Sequence, residues 1–184
     1  MKEKSDPELI SLYLKGSNEA FDEFYTRYRR QLFAYLNRML PGQPQLADDM
    51  FQRAWVKIIA KLPVYQERQT FLAWAIRISH NLVIDHFRKE NRRATSVLEG
   101  DVEMSSVEKP DKKLDAGELG TAISQAVGLL PDDQREVFLL RQQEISFKEI
   151  AVIQEISLNT AIGRMHYALK KLRSVLKDWS GEMK

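Results

Sequence analysis

The side chains best suited to chemistry are cations and an amide set at helical spacing. Wound at about 100° per residue, Arg77, Asn81, Arg88 and Arg92 fall within a sector of about 60° on a helix over residues 71–93. Guanidinium groups aligned in this way can neutralise phosphates, and an amide among them can hydrogen-bond a base edge or an extruded base. A solvated face whose basic end favours the helix dipole has the same pattern, and that reading suits Arg92 and Arg93 best. Further on, Ala161, Met165, Ala168, Leu169, Leu172 and Leu176 share one sector and are expected to face a core. Ile162, Gly163, His166, Tyr167, Lys170 and Arg173 fall opposite, with Arg164 and Lys171 flanking them. That layout suits a helix reading a DNA groove; an ordinary amphipathic helix with a solvated basic face would share it.

Other chemistry lacks its residues. His80, His86 and His166 have no metal-ligand spacing, and neither a glycine-rich phosphate loop nor a nucleophile elbow occurs. Asp48 and Asp49 are neighbours, so on a helix they point about 100° apart and make a poor acid–base pair. The chain has no cysteine, which removes disulfides, thiolate metal sites and thiol catalysis and suits a reducing cytoplasm. No catalytic residue, cofactor or metal is expected, and the chain reads as a non-enzyme.

Helical periodicity positions these groups, and no alternating strand pattern appears. Ser5-Asp6-Pro7-Glu8 starts a first helix, with a capping residue ahead of an early proline. Ser17-Asn18 caps a second, carrying Phe21, Phe24, Tyr25, Tyr28, Leu32, Phe33 and Leu36, and Pro41-Gly42-Gln43-Pro44 stops it. A third is expected over 46–62, ended by Pro63, and a fourth over 71–93, on which Trp74 reads as a packing residue. Residues 94–114 lose the periodicity, hold Gly100, Pro110 and scattered acids, and read as a flexible acidic linker. Helices resume over 115–130 and from Pro131-Asp132-Asp133 to Arg141. Ser146 with Glu149 three residues later is a capping-box pattern. The turn Gln154-Glu155-Ile156-Ser157 and a restart at Asn159-Thr160, running to about Lys177, complete a helix-turn-helix. The expectation is an all-α fold of two small helical domains, 5–93 and 115–180, joined by that linker.

The 184 residues are 43% hydrophobic and 29% charged, enough apolar material for a core. The net charge of +2 hides segregation: residues 1–93 carry 16 Lys and Arg against 11 Asp and Glu, while residues 116–159 carry 3 against 7. Residues 160–184 return to 6 against 2. DNA responds to potential within about 8 Å at physiological salt, so a local basic face suffices. The N-terminus lacks the apolar stretch of a signal peptide, and nothing approaches the roughly 18 apolar residues of a membrane span. A soluble cytoplasmic protein is expected.

The order of segments resembles the extracytoplasmic-function (ECF) sigma factors of bacterial RNA polymerase. Residues 46–55 (LADDMFQRAW) and 71–85 (FLAWAIRISHNLVID) resemble region 2 of that family, and 130–138 (LPDDQREVF) with 146–151 (SFKEIA) resemble the start of region 4. Residues 160–173 resemble its recognition helix. The resemblance implies that Asp49 and Gln52, on an outward face with Asp48 and Val56, contact the clamp helices of core polymerase. It implies that the loop holding Tyr65, Gln66 and Arg68, with Asn81, takes a flipped base of the minus-ten element, beside which Arg77, Arg88 and Arg92 would meet phosphates of the same strand. Thr160, Ile162, Gly163, Arg164, His166, Tyr167, Lys170 and Lys171 would read the minus-thirty-five duplex. The linker would thread a positive polymerase channel as a nucleic-acid mimic, and an anti-sigma factor is a common partner in the family. Arg53 stands where the family usually has an acid, and Ile162 and Tyr167 where Arg or Lys is common, which makes His166 and Lys170 the stronger contacts. A helix-turn-helix regulator acting without polymerase is the competing class; it would need a dimer or ligand interface in the first domain. A protein–protein adaptor would leave both basic faces unexplained.

Overall fold

The caps predicted from serine positions organise the chain. In the computed structural model, which describes residues 3–66, 70–97 and 118–182, the Ser5 backbone and hydroxyl both donate to the Glu8 carboxylate at 2.8 Å at the head of α1 (Asp6–Leu14). Ser17 accepts from the Ala20 amide at 3.2 Å and starts α2 (Asn18–Met39). Gly42, at φ +77°, makes the turn that lets Pro44 open α3 (Pro44–Lys61). That proline begins α3 two residues before the expected start, because the first helical position needs no amide proton. A 3₁₀ turn (Leu62–Val64) holds Pro63 and leads to α4 (Phe71–Val97).

The backbone of α4 runs beyond the expected end at Arg93 to Val97. Ala94, Thr95 and Ser96 contain no breaker, so loss of the apolar pattern does not by itself end the helix. The rest of the expected linker, 98–114, lies outside the described residues, as do residues 115–117 of the expected second domain and Arg68. Beyond it come α5 (Glu118–Gly128), α6 (Asp132–Gln142), α7 (Phe147–Ile153) and α8 (Leu158–Glu182). All elements among the described residues are helical, and no helix there is long and apolar enough to cross a membrane.

Region one, α1–α4, buries Leu9, Phe24, Leu32, Leu36, Met50, Ile58 and Ile76 completely or nearly so. Phe71 meets Phe24, Tyr28, Tyr65 and Trp74 with ring centroids 4.4–5.7 Å apart, and Trp74 packs there as expected. Region two, α5–α8, packs Ala126, Leu130, Leu139, Ala168 and Leu172 around the far side of α6. The two regions are not separate bodies joined only by chain. Val137, Leu140, Ile145, Ile150 and Ile153 belong to the same continuous apolar cluster as the core of region one, with α6 against α2 and α7 against α4. At about 25 cal/mol per Å² of apolar surface removed from water, such a seam is a real contribution to cohesion.

Candidate nucleic-acid interface

The helix-turn-helix is fixed by a complete capping box. The Glu149 amide donates to Ser146 Oγ at 3.2 Å, and the Ser146 amide donates back to Glu149 Oε2 at 3.0 Å. Arg141 donates to the Ile145 carbonyl at 2.7 Å and lies over the Phe147 ring, which holds the entry to α7. The turn into α8 places Glu155 at φ +54°, and Ser157 then caps α8 by accepting from the Thr160 amide at 3.1 Å. Ala161, Ala168 and Leu172 face inward, while Thr160, Ile162, His166, Tyr167, Lys170 and Lys171 are exposed and Gly163 is half-buried. Leu169, expected in the core sector, is exposed instead: it lies about 80° round from Ala161, at the sector's edge. Arg164 is turned inward, its guanidinium donating to Asp133 at 3.0 Å and to Gln154 Oε1 at 2.8 Å.

From Phe71 to Val83, α4 is buried or half-buried nearly all round, and only Asn81 in that stretch is exposed. Leu72, Ile76, Ile78, Leu82 and Val83 are buried, whereas Phe87, further along, is exposed. Asn81, Arg88 and Arg92 are exposed, and Arg77 is half-buried with its guanidinium 3.8 Å from Glu155. Tyr65 does not hang free in its loop: its ring lies 4.8 Å from that of Trp74. Gln66 beside it is exposed. On α3, Asp48, Gln52 and Val56 face solvent, Val56 with 68% of its surface accessible. Asp49 is paired with Arg53, Nε to Oδ1 at 2.9 Å, so the residue that departs from the family pattern neutralises its acidic neighbour one turn back.

The structure also assembles a group that composition and spacing did not single out. Glu136 on α6 is 2% exposed, and its carboxylate accepts from Tyr35 Oη on α2, from His80 Nδ1 on α4 at 2.8 Å and from Gln154 Nε2 at 2.7 Å. A carboxylate offers no proton, so Nδ1 of His80 carries one. Burial alone would push the Glu136 carboxyl up, but the hydrogen bond and charge of His80, then Tyr35 and Gln154, outweigh it and hold it below the ordinary value. Burial, reinforced by Glu136, pushes the Tyr35 phenol well above its usual range. Beside this group opens a cleft of about 500 Å³, lined among others by Asn81, Arg88, Asp132, Asp133 and Arg164. The sequence carries no local signal for it: Glu136 stands between an arginine and a valine like any solvated helical acid, and nothing in the pattern names a partner 101 residues away. Among the described residues no three His, Asp or Glu side chains converge as a metal ion would need.

Comparison with known proteins accounts for this plan. Sigma-70 region 2 matches residues 24–93, and Sigma-70, region 4 matches residues 121–172. The RNA polymerase sigma-H factor of Pseudomonas aeruginosa is 24% identical over 187 residues, covering 96% of each chain. The ECF RNA polymerase sigma factor SigW of Bacillus subtilis is 29% identical over 174 residues, 89% of this chain and 92% of that one. The fold is shared with the sigma factor RpoE in complex with the anti-sigma factor NepR from Bartonella quintana, with a TM-score of 0.70 and 23% identity over 85% of this chain and 96% of that one. It is shared as well with CnrH in complex with the cytosolic domain of CnrY, with a TM-score of 0.64 and 22% identity over 95% and 99% of the two chains.

Proposed function

The chain belongs to the ECF sigma factors, which direct RNA polymerase to specific promoters for transcription initiation, and we propose how its surfaces divide that work. Residues 5–93 bind core polymerase and the melted minus-ten strand, 115–180 bind the minus-thirty-five duplex, and the acidic segment 94–114 connects them. The observation that carries this reading is the pair of polar faces, on α4 and on α8, that stay outside the two cores.

Asp48, Asp49, Gln52 and Val56 form the polymerase surface. An exposed valine beside acids on a rigid helix suits a protein partner, since a protruding apolar side chain gains by being covered. Tyr65, Gln66 and Arg68 with Asn81 take an unstacked base, and Arg77, Arg88 and Arg92 follow the phosphates of the same strand. Capture of that base offsets an unstacking cost of a few kcal/mol and so assists melting. Thr160, Ile162, Gly163, His166, Tyr167, Lys170 and Lys171 enter the duplex groove. Arg164 contributes by bracing α8 on Asp133 and Gln154 in the free protein. The chain contributes binding and no chemistry of its own, and an anti-sigma factor is a fitting further partner, as NepR is for the sigma factor RpoE.

Abortive transcription with purified core polymerase on a promoter library tests the assignment. The protein should give promoter-specific initiation, and an Asp49→Ala/Gln52→Ala double variant should lose most of it. No stimulation, together with duplex binding by the protein alone, would make it a conventional helix-turn-helix regulator.

A further inference from the structure

We infer that Gly163 forms a notch at the centre of the outward face of α8 and that this notch seats the C5-methyl group of a thymine in the minus-thirty-five duplex; this rests on the duplex-reading role proposed for α8. A glycine inside a helix is less favourable than an alanine, because it orders the most mobile backbone. Backbone conformation does not require it here. Gly16 and Gly42 sit at φ +97° and +77°, whereas Gly163 has ordinary helical backbone within α8. Packing does not require it either. Apart from its chain neighbours and the local helix backbone, no atom among the described residues lies within 4 Å of where its Cβ would be. The missing side chain therefore makes room for something outside the protein.

The chemistry of the recess selects its occupant. At 100° per residue, Asn159 and Thr160 lie one turn before Gly163 on its side of the helix, and His166 and Tyr167 one turn after. All of them are exposed, so they ring a patch of bare backbone. The ring is held in place: Thr160 Oγ1 lies 2.8 Å from Ser157 Oγ, and the His166 and Tyr167 rings stand 5.9 Å apart between centroids. Arg164, bonded to Asp133 and Gln154, fixes the rotation of α8 about its axis. The floor is helix backbone whose amides and carbonyls are already paired within the helix, and Tyr167 supplies an apolar wall. Such a recess gives a base donor or acceptor no partner at its floor, whereas a methyl group gains by leaving water. On the base edges that a major groove presents, the thymine methyl is the projecting apolar group.

The test is a cycle between a methyl group on the protein and one on the DNA. Full-length wild type and Gly163→Ala are each combined with core polymerase, and the wild-type holoenzyme selects a duplex from a random-sequence library. Binding is then measured with each thymine replaced in turn by uracil, which lacks only the methyl. Gly163→Ala should melt at a higher temperature and yet bind the selected duplex about tenfold more weakly, since its own methyl fills the recess. At one thymine, uracil should weaken wild type about fourfold and bring Gly163→Ala to within about twofold of wild type on thymine. A lower melting temperature for Gly163→Ala would show that the fold itself needs the glycine and would overturn the notch, as would binding as tight as wild type. A loss of equal size on thymine and uracil at every position would overturn the methyl group as occupant. A holoenzyme that selects no sequence is a different failure, that of the duplex-reading role of α8, and the inference falls with it.

Discussion

Glu149 caps two helices at once: it closes the box of its own helix with Ser146 and reaches Thr70, 79 residues away, at the head of α4. Burial by itself would raise its carboxyl, but the donors from Ser146 and Thr70 prevail and lower it. One side chain thus fixes both the entry to the helix-turn-helix and the docking of region two on region one.

Glu149→Ala should therefore cost more than an ordinary cap. A cap is worth about 0.5–2 kcal/mol, and two depend on this carboxylate, so a loss of about 1–3 kcal/mol in urea unfolding is expected. Glu149→Gln, which keeps the box geometry, should lose less than half as much. Equal losses from both would show that charge, and not shared capping, carries the effect.

The difference between the legible and the hidden parts of the structure follows from this arrangement. Ser5, Ser17 and Ser146 announce three helix starts because capping is a local interaction within four residues. The exposed face of α8 is equally local, a matter of 100° steps from Ala161. The seam between regions is not local. Val137, Leu140 and Ile150 would satisfy the same pattern if they packed within region two alone, and Glu136 looks like a solvated acid until Tyr35 and His80 are placed beside it. The inward turn of Arg164 is hidden for the same reason, since Asp133 and Gln154 reach it only through the crossing of α6, α7 and α8.

Stability should show a distinct acid limb. The Glu136 carboxyl lies lower in the folded protein than the roughly 4.3 of an unfolded glutamate, so its contribution is present above that value and fades as pH falls through the folded value. The groups facing it are Tyr35 from α2 and His80 from α4, with uncharged Gln154 behind. Tyr35 acts at the other end: its phenol is raised, so its contribution is present below the ordinary value of about 10 and is lost as pH rises toward the folded one. Thermal melts from pH 3 to 7 should show a shallower acid limb for Glu136→Gln than for wild type. Superimposable limbs would mean that Glu136 does not couple protons to folding.

Arg53→Ala should separate stability from polymerase binding. Its pair with Asp49 is exposed on both sides, and such i,i+4 pairs contribute about 0.3–0.5 kcal/mol, so unfolding should hardly move. Release of Asp49 should tighten binding to core polymerase several-fold, read by fluorescence titration. Weaker binding would instead make Arg53 itself a polymerase contact.

The face of α8 allows positioning and reading to be told apart by salt. Lys170 and Lys171 are exposed cations late on the face, where a phosphate contact releases counterions. Removing either should weaken binding to every duplex alike and reduce the slope of log K against log salt by about one. His166 sits one turn earlier, beside the Tyr167 ring at 5.9 Å between centroids, and is placed to meet a base edge. His166→Ala should cost about 1–3 kcal/mol on the preferred minus-thirty-five sequence, relax the choice of base at one position and leave the salt slope nearly unchanged. These signatures are opposite because a phosphate looks the same in every sequence while a base edge does not. If His166→Ala lowers the slope and leaves sequence preference intact, the histidine is a backbone contact, and reading falls to Ile162 and Tyr167, whose exposed apolar surfaces can meet a thymine methyl group.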